Sequence, residues 1–318
     1  MLIYRKKSPS FNSIENVFNT LNPFLGGSKV ELPYESVGLL PRFKNLLFMA
    51  KLKSNIKHIT GHDHYLLWWP FKKTILTIHD IEALRRKKGL KRWIFKKLWF
   101  DIPIRNAAAV TTISEFTKRE LLSLGSYGTD IQVVPNPLTL PLSYTPKEFN
   151  ATCPRILHIG TKANKNLPRL IEALEGIAGE LIIIGKPTEA LNDMLGKHYI
   201  NYEFKFGLNN EEVMAEYIAC DLVAFISTYE GFGLPILEAQ AVGRPVITST
   251  ISSMPEVAND GAFLVDPFNV EAIRNGINTL IADGNLRANL VEKGLVNVRR
   301  FQPQEIAVQY QAIYDRLK

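Results

Sequence analysis

Leu222-Val-Ala-Phe-Ile-Ser-Thr-Tyr-Glu230-Gly-Phe-Gly-Leu-Pro-Ile-Leu-Glu238 decides the fold. Residues 222–226 form a continuous apolar run, the pattern of a strand buried on both faces of a parallel sheet. Three polar residues end that run. Gly231 and Gly233 then permit a sharp turn and a close approach of backbone to ligand, and Pro235 suits the start of a helix. A strand that turns directly into a helix points N–H groups and the positive end of the helix dipole at one spot, which holds a diphosphate without any lysine. Glu230 precedes the turn and Glu238 lies about one turn into the helix. Carboxylates accept hydrogen bonds from paired sugar hydroxyls, so each can hold a different sugar of one ligand. The bland alternative is a loop with two glycines and a solvated helix glutamate.

Outward from this stretch the same alternation continues. Strands are predicted at 155–159, 180–185, 202–206, 245–248 and 262–265, and helices at 167–174, 189–195, 211–219, 235–241, 270–283 and 285–298. In 167–174, Leu167, Leu170, Ile171 and Leu174 recur at helical spacing. Upstream, strands are predicted at 1–4, 58–59, 74–78, 108–112 and 131–134. Helices are expected near 13–21, 45–52, 90–100 and 114–124, the last opening on Ser114 with Thr117 in its first turn. Between the two series lie Pro135, Pro137, Pro141 and Pro146, too dense for a helix or a central strand, and read as an interdomain linker. The predicted class is therefore α/β, with two Rossmann-like, doubly wound domains facing across a cleft and ligands at the carboxyl ends of the strands.

Composition narrows the function classes. The 318 residues are 46% hydrophobic and 22% charged, enough for a substantial core. The two cysteines, Cys153 and Cys220, lack disulfide or metal spacing and suit a reducing compartment. No run of about 18 apolar residues could span a bilayer, and the N-terminal charges follow a very short apolar run, the wrong order for a secretory signal. The expected location is cytoplasmic. The net charge of +7 is unevenly placed. Residues 1–150 hold 23 Lys and Arg against 11 Asp and Glu, and the remainder 15 against 20, so only the first half is suited to an anionic surface.

Two further strand ends carry chemistry. His158-Ile-Gly160-Thr161-Lys162-Ala-Asn164-Lys165-Asn166-Leu167 is a second strand-to-helix turn, with Lys162 and Lys165 placed to stabilise negative charge developing on a departing diphosphate. Read blandly, both are surface lysines. Thr77-Ile78-His79-Asp80 sets a polar pair directly after a strand, where His79 can hydrogen-bond a sugar hydroxyl or a phosphate, or serve structure alone. His58, His62, Asp63 and His64 fit no zinc spacing, so no metal site is expected; Gly61 and His62 are read as a loop near the acceptor. Base recognition is placed near Phe206.

The Glu-x7-Glu spacing from Glu230 to Glu238 resembles the donor motif of glycosyltransferase family 4, retaining enzymes of the two-Rossmann GT-B architecture. Gly160-Thr-Lys-Ala-Asn-Lys-Asn166, Thr77-Ile-His-Asp80, Thr111-Thr-Ile-Ser-Glu-Phe-Thr-Lys-Arg-Glu120, Val133-Val-Pro-Asn-Pro137 and Met254-Pro-Glu-Val257 agree in order and spacing. The resemblance implies that Glu230 contacts the transferred sugar and that Phe232, Gly233 and Leu234 offer backbone to the diphosphate or sugar. Glu238 holds the ribose, Lys165 binds the diphosphate, and His79 lines the catalytic cleft. The implied enzyme is metal-independent, uses no cofactor, and takes a UDP- or GDP-sugar. Residues 1–140 would bind the acceptor, residues 151–302 the donor, and 303–318 would cross back onto the first domain. The chain departs from the family at Thr161, where many members have arginine, and in the loop after the first strand, which normally borders the acceptor and here lacks the usual glycines.

Arg85-Arg-Lys-Lys-Gly-Leu-Lys-Arg-Trp-Ile-Phe-Lys-Lys-Leu-Trp-Phe100 interleaves eight basic residues with four aromatics. This composition suits an anionic membrane interface, or equally a helix packing its aromatics inward with its lysines in water. No nucleic-acid motif accompanies the charge, and nucleic acid is not expected as a partner. The sequence-level conclusion is a glycosyltransferase acting on a glycan or lipid-linked acceptor in cell-surface glycan synthesis, peripheral on the inner membrane face. The alternatives are a sugar-nucleotide epimerase or hydrolase, and a non-catalytic nucleotide-sugar- or membrane-binding subunit.

Overall fold

A computed structural model describes residues 1–6 and 13–318 and resolves two compact units, Met1–Thr139 with Gln302–Lys318, and Leu140–Phe301. Each is built on a six-stranded, all-parallel sheet. In the first unit, β1 (Leu2–Tyr4), β2 (Lys29–Glu31), β3 (Lys57–Ile59), β4 (Thr74–Ile78), β5 (Ala109–Thr112) and β6 (Ile131–Val133) lie in the order β2-β1-β3-β4-β5-β6. In the second, β7 (Arg155–Ile159), β8 (Glu180–Ile184), β9 (Tyr202–Lys205), β10 (Leu222–Phe225), β11 (Val246–Ser249) and β12 (Phe263–Val265) lie in the order β12-β11-β10-β7-β8-β9.

The second order reverses direction between β7 and β10, which pair in register through Leu222 with Ile156 and Val223 with Leu157. The chain runs β7-β8-β9 one way and β10-β11-β12 the other. The loops after β7 and β10 therefore emerge side by side at the carboxyl edge, the position at which such sheets take ligands. His158 in β7 ties the two strands together, with Nδ1 2.9 Å from the Ala224 carbonyl and Nε2 3.0 Å from that of Gly160. Burial holds its pKa down near 4, so the neutral ring donates to one of the two. Beneath this corner, Leu167, Leu170, Ile171 and Leu174 of helix Leu167–Leu174 are all buried against the sheet. Each such side chain is worth roughly 1.5–3 kcal/mol.

Several sequence expectations need correction. Edge strand β2 was not anticipated, because three half-exposed residues carry no alternation. The helix expected near 45–52 begins at Leu39, since Leu39 and Leu40 face outward and add nothing to a buried stripe. The helix expected over 90–100 stops at Lys96 and continues as a π-helical turn, Lys97–Asp101. The histidines of 58–64, for which no shared metal site was expected, take separate partners, although the His62 ring lies 6.2 Å from that of His64. His58 bonds Thr77 Oγ1 (2.7 Å) and Tyr314 Oη (2.8 Å), tying the sheet to helix Pro303–Leu317, and His64 turns to the Trp99 carbonyl. Residues 7–12, most of the loop read as the acceptor border, lie outside the described residues.

Candidate active site

The loop after β10 and the loop after β7 are stitched together. Thr228 N–H donates to the Asn164 carbonyl (2.8 Å), and Asn164 Nδ2 donates to the Tyr229 carbonyl (2.9 Å) and to Glu230 Oε1 (3.1 Å). Lys165 Nζ reaches the same Glu230 oxygen at 2.7 Å and lies 4.7 Å from the centre of the Phe225 ring. Gly160, at φ +95°, is what lets Lys165 lie there, for an added Cβ would come within 2.9 Å of Lys165 Cγ. Thr161 packs on Gly185, where a Cβ would meet its methyl at 2.7 Å. Lys162 is exposed.

On the other side, Ser253 Oγ donates to the carbonyls of Glu230 (3.0 Å) and Phe232 and so fixes the path of the glycine turn. Phe232 is buried edge-on to Phe301, with ring centres 5.7 Å apart. Gly233, at φ +124°, is the residue before helix Leu234–Val242, whose second residue is Pro235. Thr188, Asn209, Asn269 and Asp283 cap the helices that they precede with a side-chain oxygen. Gly233 has no side chain to do so, and Asn166, before helix Leu167–Leu174, accepts from the Arg169 guanidinium at Oδ1 (2.9 Å) and donates its amide N–H to the Pro267 carbonyl, capping nothing. Both helices that start at the switch point thus keep an uncapped, positively polarised end beside Lys165.

Glu238 sits on that helix, buried, with Oε2 accepting from Tyr217 Oη at 2.5 Å. Burial pushes its carboxyl up to about 7, against the opposing pull of the Tyr217 hydroxyl and the Lys165 cation. Its folded pKa stands above the ordinary 4.5, so the native state holds the proton more tightly than the unfolded chain. Stability is therefore lost as pH rises from the ordinary value through about 7. Glu238→Gln removes that ionisation. Its melting temperature relative to the native chain is expected to climb between about pH 5 and pH 8, whereas a difference flat in pH would contradict the buried acid.

The structure thus brings Gly160, Thr161, Lys165, Glu230, Gly231, Phe232, Gly233, Leu234 and Glu238 to neighbouring positions at one corner of the second unit. Phe206 follows the edge strand β9, at the same carboxyl edge of the sheet but two strands beyond β7, and is largely exposed. His79 belongs to the first unit, after β4, where its Nε2–H donates to the Thr60 carbonyl at 2.8 Å. Burial and the His62 ring hold its pKa down near 4, so it is neutral and its Nδ1 is the acceptor nitrogen. Asn164, Tyr217 and Ser253 were not singled out from sequence. Asn164 lay within the Gly160–Asn166 segment and Ser253 directly before Met254-Pro-Glu-Val257, whereas Tyr217 carried no functional signal. Among the described residues, no cluster of three or more His, Cys, Asp or Glu is placed to hold a metal ion.

Comparison with known proteins bears on the family and the fold. Residues 16–140 match the family described as Glycosyltransferase Family 4, and residues 146–295 the one described as Glycosyl transferases group 1. The O-antigen chain mannosyltransferase B of Escherichia coli is 27% identical over 270 residues, covering 75% of this chain and 69% of that protein. The MMP alpha-(1->4)-mannosyltransferase of Mycolicibacterium hassiacum is 34% identical over 134 residues, 41% of this chain and 32% of its own. Among solved structures, Anabaena HepE in complex with UDP-glucose superposes with a TM-score of 0.81 at 16% identity, covering 99% of each chain. Sucrose-phosphate synthase from Thermosynechococcus elongatus gives 0.77 at 20%, covering 99% of this chain and 88% of that one. The chain is a glycosyltransferase of the GT-B fold and belongs to the family 4 type.

Proposed function

We propose that the chain moves a hexose from a UDP- or GDP-sugar to a lipid-linked or polysaccharide acceptor, with retention of anomeric configuration and without a metal ion. The observation that carries the donor assignment is Lys165, 2.7 Å from Glu230 beside the uncapped start of helix Leu234–Val242. A diphosphate lying on that helix start meets N–H groups and a fixed cation, the two things that a departing nucleoside diphosphate needs as its charge grows. Glu230, steadied by Asn164 and Lys165, then faces the sugar, and Glu238 takes the ribose hydroxyls. In the first unit, neutral His79 offers Nδ1 to a sugar hydroxyl. The E. coli relative's name supports a mannosyl donor and a glycan acceptor, and the UDP-glucose complex of HepE supports a nucleotide-sugar donor on this fold. The basic first unit supports an acceptor at an anionic membrane face.

The test is nucleotide release from a panel of UDP- and GDP-sugars with a lipid-linked or oligosaccharide acceptor, and NMR of the product's anomeric carbon. One donor is expected to turn over, to a product with the donor's own anomeric configuration, equally well with EDTA present. An inverted product would remove the retaining mechanism, and no turnover of any donor would remove the donor reading.

A further inference from the structure

Within the first unit, two helical segments leave large apolar side chains uncovered. Helix Leu39–Lys51 exposes Leu39 (76%), Leu40, Phe43 (57%) and Leu47, a stripe at i, i+4, i+8, while Asn45 and Met49 face the core. The segment after Lys88 splits its aromatics. Phe100 is buried, Phe95 stacks on Trp99 at 4.9 Å, and Leu90 (71%), Trp93 (60%) and Ile94 stay exposed. Arg42 of the first helix lies 4.7 Å over the Trp99 ring, so the two segments meet. Beside that contact, Arg86, Lys87, Lys88 and Lys91 rim a groove of about 700 Å³ floored by Ile94, Phe95, Leu98 and Trp99.

The charged residues that line the groove are all basic. Neither residues 39–51 nor 85–100 contain an Asp or Glu. Arg85, Arg86 and Lys96 pair with Glu120, Glu82 and Asp101, but among the described residues Lys88, Lys91 and Lys97 pair with no carboxylate, and Lys87 rests on the Phe95 ring. We propose that the apolar stripe of helix Leu39–Lys51 and the cation-rimmed groove of residues 86–99 form one face that docks into the interface of an anionic lipid bilayer. Leucine, phenylalanine and tryptophan enter the acyl boundary while the lysine rim meets phosphate headgroups. A second copy of the chain fits this face poorly, because a two-fold contact would set lysine against lysine. The sequence pointed only to residues 85–100; the inserting stripe is on the other helix, thirty or more residues upstream in the chain. The proposal extends the membrane-face reading of the acceptor, but its test needs no turnover.

The full chain is floated with phosphatidylcholine vesicles, with and without phosphatidylglycerol. Association is expected only with phosphatidylglycerol and is expected to fall as salt rises. Lys87→Glu, Lys88→Glu and Lys91→Glu together are expected to weaken it at least about 100-fold, since each basic residue at such a surface contributes about one kcal/mol. Leu39→Ser, Phe43→Ser and Leu47→Ser together should abolish the association that survives high salt. Lys197→Glu, Lys293→Glu and Arg299→Glu, an equal charge change in the second unit, should leave it unchanged. The melting shift caused by nucleotide, kept in every variant, shows that the fold and donor site are intact. Equal binding to neutral vesicles, rim variants that float like the native chain, or a concentration-dependent dimer lost on substituting the stripe would each overturn the proposal.

Discussion

Lys165→Ala is expected to lower kcat/KM by about 10²–10³-fold, the usual loss when one preorganised charge is removed from a developing anion. Lys165 has no other structural task of that size. It is held at Glu230 by one contact and over Phe225 by another, and Asn164 still tethers Glu230 when the lysine is gone. Melting temperature should therefore change little. Glu230→Ala is expected to lose at least as much rate, because it removes the proposed sugar contact and leaves Lys165 without its carboxylate. Gly160→Ala makes the same point through the backbone. Its methyl would collide with the Lys165 stem at a φ that L-residues rarely adopt, so the rate should fall with the lysine still present. If Lys165→Ala instead lowered stability and left kcat intact, Lys165 would be a tether for the two loops and not a diphosphate ligand.

Arg244→Ala is expected to give the largest loss of stability. The residue is buried at the far end of helix Leu234–Val242, after the left-handed Gly243. Its guanidinium donates to the carbonyls of Cys220 (2.9 Å), Thr145 (2.8 Å) and Ile218 (2.6 Å), with longer contacts to Val242 and Gly243. Asp221 and Cys220 beside it partly offset the burial that lowers its pKa. Truncation would strand several of those acceptors away from water, each costing about 1–3 kcal/mol, for a total of at least ~3 kcal/mol. In a domain of this size that is a fall of roughly 6–12 °C in melting temperature. Arg244→Lys should recover only part, because an ammonium cannot reproduce the planar fork. A fall of less than about 2 °C would mean that the carbonyls find other partners.

Much of the second unit was legible in its sequence because the central strands of a covered parallel sheet are mainly apolar runs, and Leu222–Phe225, Glu180–Ile184 and Arg155–Ile159 read that way. The glycine turn was equally plain, since Gly233 does adopt a backbone conformation that other residues avoid. What sequence could not give were partnerships across the fold. Tyr217 and Glu238 are 21 residues apart on different helices, and nothing local announces that one caps the other. Three histidines within seven residues looked like a cluster, yet alternation along β3 and the turn that follows sends His58 and His64 in different directions. Helix Leu39–Lys51 was half hidden for the opposite reason, because its most apolar residues are the ones left facing outward.

The central claim is that the corner between β7 and β10 is a nucleoside diphosphate site. Titration calorimetry of UDP and GDP against the native chain and Lys165→Ala tests it directly. One of the two nucleotides should bind the native chain at a single site, and Lys165→Ala should weaken it by at least about tenfold, since a hydrogen bond to a charged group is worth about 1.5–3 kcal/mol. Binding of neither nucleotide, or equal affinity in the variant, would contradict the assignment.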